Sequence, residues 1–270
     1  MEIQSVLDQL DQLFAQKKLA KVEPFLTGRL QAALEEGDAG SALTLMNELA
    51  GFYRSVSQPE KSLEAAEQAL SAVSLMKLSG TAPHATTLLN AATAYRAAGD
   101  LTRALSLYQE AFQIFRSLGV EKEYPMAGLL NNMSQVYQTL NRHNDAIFCL
   151  NQAMEILTAL SDAEVEIATT HSNLALSLLS IGQAEEAKRH LEQAIALFEA
   201  QPGPRDAHYG AALAALAELS YRTGDFSEAV DFYERALAEI RETFGENNDY
   251  RITEKNLELA KKAWEENQKK

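Results

Sequence analysis

The stretch LLNAATAYRAAGDLTRALSLYQEAFQI, residues 88–114, decides the fold because other parts of the chain repeat its pattern. Similar stretches occupy residues 46–73, 129–156, 171–197 and 213–240. A small residue recurs at spacings of 42, 42, 41 and 42 residues. These equivalent positions form a column that consists of Ser62, Ala104, Ala146, Ala187 and Ala229. The same spacings separate the residues of a second column, Ser57, Gly99, Asn141, Gly182 and Gly224. Columns that share one period predict a stack of similar structural units.

Each unit is predicted to form two antiparallel helices, because apolar residues recur at intervals of three and four within each half. The glycine or asparagine between the halves suits the left-handed residue that ends a helix. Asp100 offers an N-cap oxygen to the second helix of its unit, and Asp225 with Glu228 fits a capping box. Pro59 fits the first position of a helix, where its missing N–H costs nothing.

The order of residues within a unit resembles that of the tetratricopeptide-repeat family. A small residue in the first helix is followed three positions later by tyrosine, as in Ala92 and Tyr95, and Gly-Asp stands at the turn. The second helix then carries alanine, tyrosine and alanine. The 42-residue period is more similar to the long repeats of kinesin light chains than to the form of about 34 residues. The resemblance covers residues 46–244 and implies an all-α, right-handed α-solenoid of about six antiparallel helix pairs plus a C-terminal capping helix.

The ends of the chain follow the same plan. We expect one solenoid over residues 1–270, with a degenerate helix pair at 1–38, five repeats at 39–244 and a capping helix at 248–267. Val22 and Leu26 replace the alanine and tyrosine of the repeat in the first pair. In the capping helix we expect the last pair to be covered by Ile252, Leu257, Ala260 and Trp264.

The charge of the chain argues against two classes of partner. Lys and Arg total 24 and Asp and Glu total 38, so the formal net charge is 24 − 38 = −14. Such a field repels phosphate backbones and anionic lipids, which makes nucleic acid and membrane surfaces unfavourable partners. The start of the sequence lacks the pattern of a signal peptide, and no stretch is apolar enough to span a membrane, so we expect a cytoplasmic protein.

The sequence carries no pattern typical of an enzyme. It lacks the G-x-S-x-G, H-E-x-x-H, C-x-x-C and G-x-x-x-x-G-K motifs. Its five histidines are scattered, and its one cysteine, Cys149, is expected to be a small buried apolar residue. We therefore predict no catalytic residues, no metal site and no cofactor.

The resemblance implies that one face of each first helix lines a concave groove. The predicted peptide-binding residues lie at these positions: Thr86, Asn90, Thr93, Arg96, Asn131, Asn132, Gln135, Gln138, Thr169, Ser172 and Asn173. Asn90, Asn132 and Asn173 occupy one column in successive repeats. Asparagine is unfavourable inside a helix, so its repetition needs a reason. Either the amides bind the backbone of an extended peptide, or they bond to neighbouring helices and set the register of the repeats.

The sequence thus predicts a non-catalytic module that binds an extended protein segment in its groove and serves as an adaptor or scaffold. One alternative is a regulator whose curvature changes when a peptide binds. Another is a structural module that associates with itself. The partner's identity is not encoded in the polarity of the groove.

Overall fold

A computed structural model describes residues 2–16, 18–201, 207–246 and 248–268. In these ranges all regular elements are helices, which confirms the predicted all-α class. A short 3-10 turn, Leu19–Lys21, lies between the first two α-helices. The α-helices are α1 (Ile3–Ala15), α2 (Val22–Glu35), α3 (Ala39–Ser55), α4 (Pro59–Leu75), α5 (Ala82–Ala97), α6 (Leu101–Ser117), α7 (Tyr124–Thr139), α8 (His143–Leu157), α9 (Glu164–Ser180), α10 (Ala184–Ala200), α11 (Ala207–Thr223), α12 (Phe226–Phe244) and α13 (Asn248–Asn267).

The chain divides into two compact units, Met1–Val136 and Tyr137–Lys270, with the boundary inside α7. In the N-terminal unit each helix from α1 to α6 packs on the next, and α3 also packs on α5. In the C-terminal unit the helices from α8 to α13 pack in the same order, and α9 also contacts α11. A single solenoid over 1–270, its handedness and its number of helix pairs stay predictions.

The turns between paired helices adopt the predicted backbone conformation. Gly99, Gly182 and Gly224 have φ angles of 88°, 81° and 89°, and Asn141 has a φ angle of 56°. A left-handed residue at this point lets the last carbonyl groups of the first helix find donors. Accordingly, the Asp100 N–H donates to the Tyr95 carbonyl oxygen at 3.0 Å. The period read from the sequence therefore places the helix ends correctly.

The small-residue column lies where the two helices of a pair meet. Its members, Ser62, Ala104, Ala146, Ala187 and Ala229, are fully buried. The Ser62 hydroxyl donates to the Ala50 carbonyl oxygen of the facing helix at 2.8 Å. Tyr108 and Tyr233 fill the larger spaces of the second helices and are also buried. Close approach of helices at small residues, with large residues between them, explains why these columns recur.

The predicted helix starts are partly correct. Pro59 is the first residue of α4, and the Asp100 carboxylate accepts from the Arg103 N–H at 2.9 Å, as predicted. The capping box at the start of α12 is wrong, because Asp225 makes no side-chain cap there. Glu228 instead accepts from the Ser220 hydroxyl at 2.7 Å and pairs with Lys188 at 3.5 Å. A hydroxyl and a lysine from other helices therefore hold the carboxylate.

At the ends of the chain, one expectation needs correction. Val22 and Leu26 are fully buried, and in α13 Leu257 and Ala260 are buried as predicted. Ile252, however, is 51% exposed, and Thr253 is buried in its place. Residues 253, 257 and 260 are four and three positions apart and share one helix face, from which residue 252 is rotated by about 100°. Trp264 lies on that face but remains 36% exposed.

Among the described residues, no helix combines the length and the apolar character needed to cross a membrane. Cys149 is buried, as expected, and burial raises the pKa of its thiol to about 11. A thiol in this state is not an effective nucleophile.

Candidate peptide-binding face

The helices α3, α5, α7, α9 and α11 are the first helices of the five repeats, and α4, α6, α8, α10 and α12 are the second helices. The predicted binding residues all lie on first helices. We define the first-helix face of the N-terminal unit as Arg54 on α3, Thr86, Asn90 and Arg96 on α5, and Asn131, Asn132 and Gln135 on α7.

Two asparagines of the predicted column belong to the N-terminal unit. Asn90 and Asn132 are half-buried, and within the described part of the chain their side-chain amides make no hydrogen bond. Each amide nevertheless has a donor and an acceptor to offer. These two side chains therefore have the properties expected of groups that bind a peptide backbone.

Thr93 has a different role from the one expected of a ligand contact. It is buried, its hydroxyl donates to the Leu89 carbonyl oxygen at 2.9 Å, and the same oxygen lies 2.7 Å from the Tyr108 hydroxyl. Because the Thr93 hydrogen is used on Leu89, the Tyr108 hydroxyl donates to Thr93. Thr93 thus connects α5 to the second helix α6 and fixes the position of the tyrosine ring.

The neighbouring predicted residues are accessible to different degrees. Thr86, one turn before Asn90, is exposed. Asn131 is half-buried and its amide donates to the Ala127 carbonyl oxygen within α7 at 3.4 Å. Gln135 is also half-buried. The N-terminal unit therefore presents a polar surface around the two asparagines.

Two arginines lie at the next position of the same helices. Arg54 and Arg96 are 42 residues apart, and both are half-buried. Burial raises the pKa of the Tyr108 hydroxyl, and the two nearby arginines oppose this rise. Burial lowers the pKa of Arg54, and the nearby Arg96 lowers it further. The sequence column indicated Arg96, while the proximity of Arg54 depends on how α3 packs against α5.

In the C-terminal unit, the equivalent polar groups are used for packing. The Gln138 amide donates to the Asn173 carbonyl oxygen and to the Ser177 hydroxyl, each at 2.8 Å, which ties the end of α7 to α9. Asn173 itself is buried. The hydroxyls of Ser172 and Thr169 donate to carbonyl oxygens within α9, at 3.1 and 2.9 Å. Gln138 thus bonds to a neighbouring helix, as in the alternative in which polar side chains set the register of the repeats.

One pair of groups was not anticipated from the sequence. The Nδ1 atoms of His171 on α9 and His190 on α10 lie 2.7 Å apart, with the rings in contact. Burial and the neighbouring His190 lower the pKa of His171 to about 4, and burial also lowers that of His190. The two histidines are far apart in sequence and on different helices, so spacing within one helix could not reveal the pair. Across the described residues, no group of three or more His, Cys, Asp or Glu side chains could hold a metal ion.

Comparison with known proteins extends these observations. A tetratricopeptide-repeat model matches residues 40–117, 83–159 and 166–242. Protein KINESIN LIGHT CHAIN-RELATED 1 of Arabidopsis thaliana is 20% identical over 207 residues, which cover 76% of this chain and 34% of that protein. The chain therefore spans about a third of the length of this relative.

Two solved structures have similar folds. The crystal structure of BtubC (BKLC) from P. vanneervenii aligns with a TM-score of 0.67 and 20% identity, over 85% of this chain and 92% of that chain. NprR in complex with its cognate peptide NprX aligns with a TM-score of 0.65 and 16% identity, over 96% of this chain and 78% of NprR. At these identities the likeness concerns the fold alone.

Proposed function

Because the chain belongs to the tetratricopeptide-repeat family, with repeats of the kinesin light chain type, we propose that it binds an extended protein segment on the first-helix face of its N-terminal unit. In this proposal the protein is a non-catalytic adaptor or scaffold, and its partner is a protein or peptide. The family match supports interaction with proteins in general. The choice of surface rests on the side chains of Asn90 and Asn132.

The observation that carries the proposal is the state of Asn90 and Asn132. Inside a helix, asparagine is less favourable than alanine by up to about 0.7 kcal/mol. Neither amide regains this cost through a hydrogen bond within the described residues. An extended peptide offers N–H and C=O groups that match both halves of each amide. A role in binding therefore accounts for the two residues better than a role in folding.

The length of the bound segment follows from helix spacing. Neighbouring first helices of such repeats are roughly 10 Å apart, and an extended chain advances about 3.3 Å per residue. From α3 to α7 there are two such steps, or roughly 20 Å and six peptide residues. Hexapeptides should therefore bind well and tetrapeptides poorly.

The test uses a mixture of random hexapeptides passed over the immobilised full-length chain. The most enriched peptide is titrated calorimetrically into the native protein and into the double variant Asn90→Ala/Asn132→Ala. Loss of two net hydrogen bonds should cost about 1 to 3 kcal/mol, which weakens affinity roughly five- to 150-fold. Asn151→Ala, at an exposed position on the second helix α8, is the control and should leave affinity unchanged.

Thermal unfolding of the same proteins decides between the two roles. The double variant should keep or slightly raise the melting temperature, since alanine favours helix. If the melting temperature falls while the peptide binds as before, the asparagines serve folding and the proposed surface is wrong.

A regulator is the second candidate, and one observation favours it. NprR, whose fold is similar over 96% of this chain, has been crystallised with a cognate peptide. A regulator of this kind would change shape when a peptide binds. Small-angle scattering with and without the enriched hexapeptide distinguishes the two candidates, since an adaptor should keep the same scattering curve.

A further inference from the structure

The N-terminal unit carries an apolar groove that lies outside the first-helix face. This α2–α4 groove has a volume of about 600 Å³ and lies where α2, α3 and α4 meet. Its apolar lining consists of Leu34, Ala42, Met46, Ala72, Leu75 and Met76. Leu75 is 84% exposed and Leu34 is 52% exposed, so the groove is open to solvent. An exposed apolar surface of this kind is typical of a site of association.

The charged side chains that line the α2–α4 groove are acidic. Glu64 and Glu67 lie along it on α4, and no lysine or arginine of the described chain lines it. Glu67 accepts a hydrogen bond from the Tyr95 hydroxyl, whereas Glu64 has no hydrogen-bond or ion-pair partner within the described ranges. A complementary partner therefore combines apolar side chains with positive charge.

The helix α13 of the C-terminal unit has these complementary properties. Ile252 and Leu259 are 51% and 48% exposed. Lys255 and Lys262 are also exposed, and neither has an ion-pair partner in the part of the chain that the structure describes. These four residues are three, four and three positions apart, so they share one helix face, which we define as the exposed stripe of α13. The buried Leu257 belongs to the opposite face of the same helix.

The lengths of the two surfaces agree. On α4, the positions that line the groove run from 64 to 76, which corresponds to about 18 Å along a helix. The exposed stripe runs from 252 to 262, or about 15 Å. Glu265 and Glu266 follow the stripe and end its basic character.

We propose that the exposed stripe of α13 in one copy of this chain packs into the α2–α4 groove of a second copy. The isoleucine and leucine of the stripe fill the apolar lining, while its two lysines pair with Glu64 and Glu67 and set the orientation. The inference is independent of the proposed peptide-binding function. On α3, Met46 of the groove and Arg54 of the first-helix face differ by about 80° around the helix axis.

The type of contact determines which assemblies form. Groove and stripe are different surfaces, so each copy that gives its stripe to a neighbour still has a groove to offer. Association therefore ends in a closed ring, of which a reciprocal dimer is the smallest, or continues as an open chain. One helix face in one groove buries less area than the roughly 1,600 Å² of a standard interface, so the association should be weak.

The first experiment measures the mass of the full-length chain by sedimentation equilibrium at concentrations up to about 500 μM, the range in which weak association is detected. The weight-average mass should rise with concentration above the monomer value of 29.7 kDa. A mass that stays at 29.7 kDa at all concentrations would overturn the proposal.

The second experiment exchanges the charges of the two surfaces. Glu64→Lys/Glu67→Lys makes the groove basic, and Lys255→Glu/Lys262→Glu makes the stripe acidic. Each double variant alone should associate roughly 10-fold or more weakly, because like charges then face each other. An equimolar mixture of the two variants should regain association, since each surface again finds its opposite charge. No recovery in the mixture would contradict the pairing of these surfaces.

A matched control separates this pairing from the net charge. Glu155→Lys/Glu192→Lys makes the same charge change at exposed positions of the second helices α8 and α10. It should associate as the native chain does. If it loses association to the same extent as Glu64→Lys/Glu67→Lys, the groove has no specific role.

A third variant keeps the test valid if loss of the Glu67 hydrogen bond disturbs folding. Leu75→Ser changes a side chain that is 84% exposed, so the melting temperature should stay the same. The dissociation constant should rise roughly 10- to 100-fold, because an apolar contact is lost. Phe148→Ser, at a 64% exposed position on α8, is the control and should leave association unchanged. Equal effects of the two substitutions would contradict the choice of groove.

Crosslinking identifies the occupant directly. Benzoylphenylalanine replaces Leu259, and copies with natural nitrogen are mixed with copies labelled with nitrogen-15. Crosslinks from α13 to α4 should join copies of different isotope composition. Crosslinks only within one copy, or only to helices other than α2, α3 and α4, would overturn the proposal.

Discussion

The two compact units use the same repeat positions in different ways. In the N-terminal unit, Asn90, Asn132 and Arg54 have polar groups without hydrogen-bond or ion-pair partners among the described residues. In the C-terminal unit, Gln138, at the repeat position of Arg54 and Arg96, donates to two groups of α9. The repeat therefore fixes where a side chain lies, whereas its neighbours decide whether its polar groups are bonded within the fold.

The largest expected effect concerns a feature that both units share. Ala104→Leu in the N-terminal unit and Ala146→Leu in the C-terminal unit each add side-chain volume at a fully buried helix contact. Each should lower the free energy of unfolding by about 1 to 3 kcal/mol, measured by urea titration. Glu185→Leu, at an exposed position of α10, is the control and should change it little. If only one of the two alanine substitutions lowers the free energy of unfolding, the two units do not share the small-residue contact.

A second prediction sharpens the difference between the units. Gln138→Ala removes two hydrogen bonds between α7 and α9, which should cost about 1 to 2 kcal/mol of stability. Asn132→Ala removes none within the described residues and should change stability by less than about 0.5 kcal/mol. Urea titration of the two single variants checks this. Equal losses would show that both residues are structural and would remove the contrast.

The sequence predicts the helix contact that the two units share, but it does not predict the difference between them. The helices, their left-handed turns and the burial of the small column follow from local patterns and one period. The partner of Gln138 could not be predicted, because Ser177 lies 39 residues away and meets it only when α7 and α9 pack. Likewise, the repulsion between Arg54 and Arg96 depends on the packing of α3 and α5, and the His171–His190 pair on that of α9 and α10.

The histidine pair predicts a pH effect confined to the C-terminal unit. Folding lowers the pKa of His171 from about 6.5 to about 4, so the folded state binds fewer protons than the unfolded state in this range. Its contribution to stability is present above pH 6.5 and is lost as the pH falls towards 4. Nearby, Glu186 favours and Arg189 opposes protonation of His190.

Hydrogen exchange at several pH values measures the loss of stability separately in each of the two units. Between pH 6.5 and 4, amides of α9 and α10 should lose more protection in the native protein than in His171→Gln. His208→Gln, at an exposed position of α11, serves as control and should behave as the native protein does. If His171→Gln loses protection to the same extent as the native protein, the pair does not govern acid stability.

The smallest expected effect concerns the last helix. Ile252 is half exposed, so Ile252→Ser should change the free energy of unfolding by less than about 0.5 kcal/mol. Leu257→Ser, on the buried face of α13, should cost several times more. Urea titration followed by Trp264 fluorescence measures both. A larger loss for Ile252→Ser than for Leu257→Ser would show that Ile252 covers the last helix pair, as the sequence predicted.

The central proposal is that peptides bind to the first-helix face of the N-terminal unit through Asn90 and Asn132. The most direct measurement is photo-crosslinking of the full-length chain with an enriched hexapeptide that carries benzoylphenylalanine, followed by mass spectrometry of the labelled residues. The account predicts labels on α5 and on the first turns of α7, which are lost in Asn90→Ala/Asn132→Ala. Labels confined to α9–α12, or retained in the double variant, would contradict it.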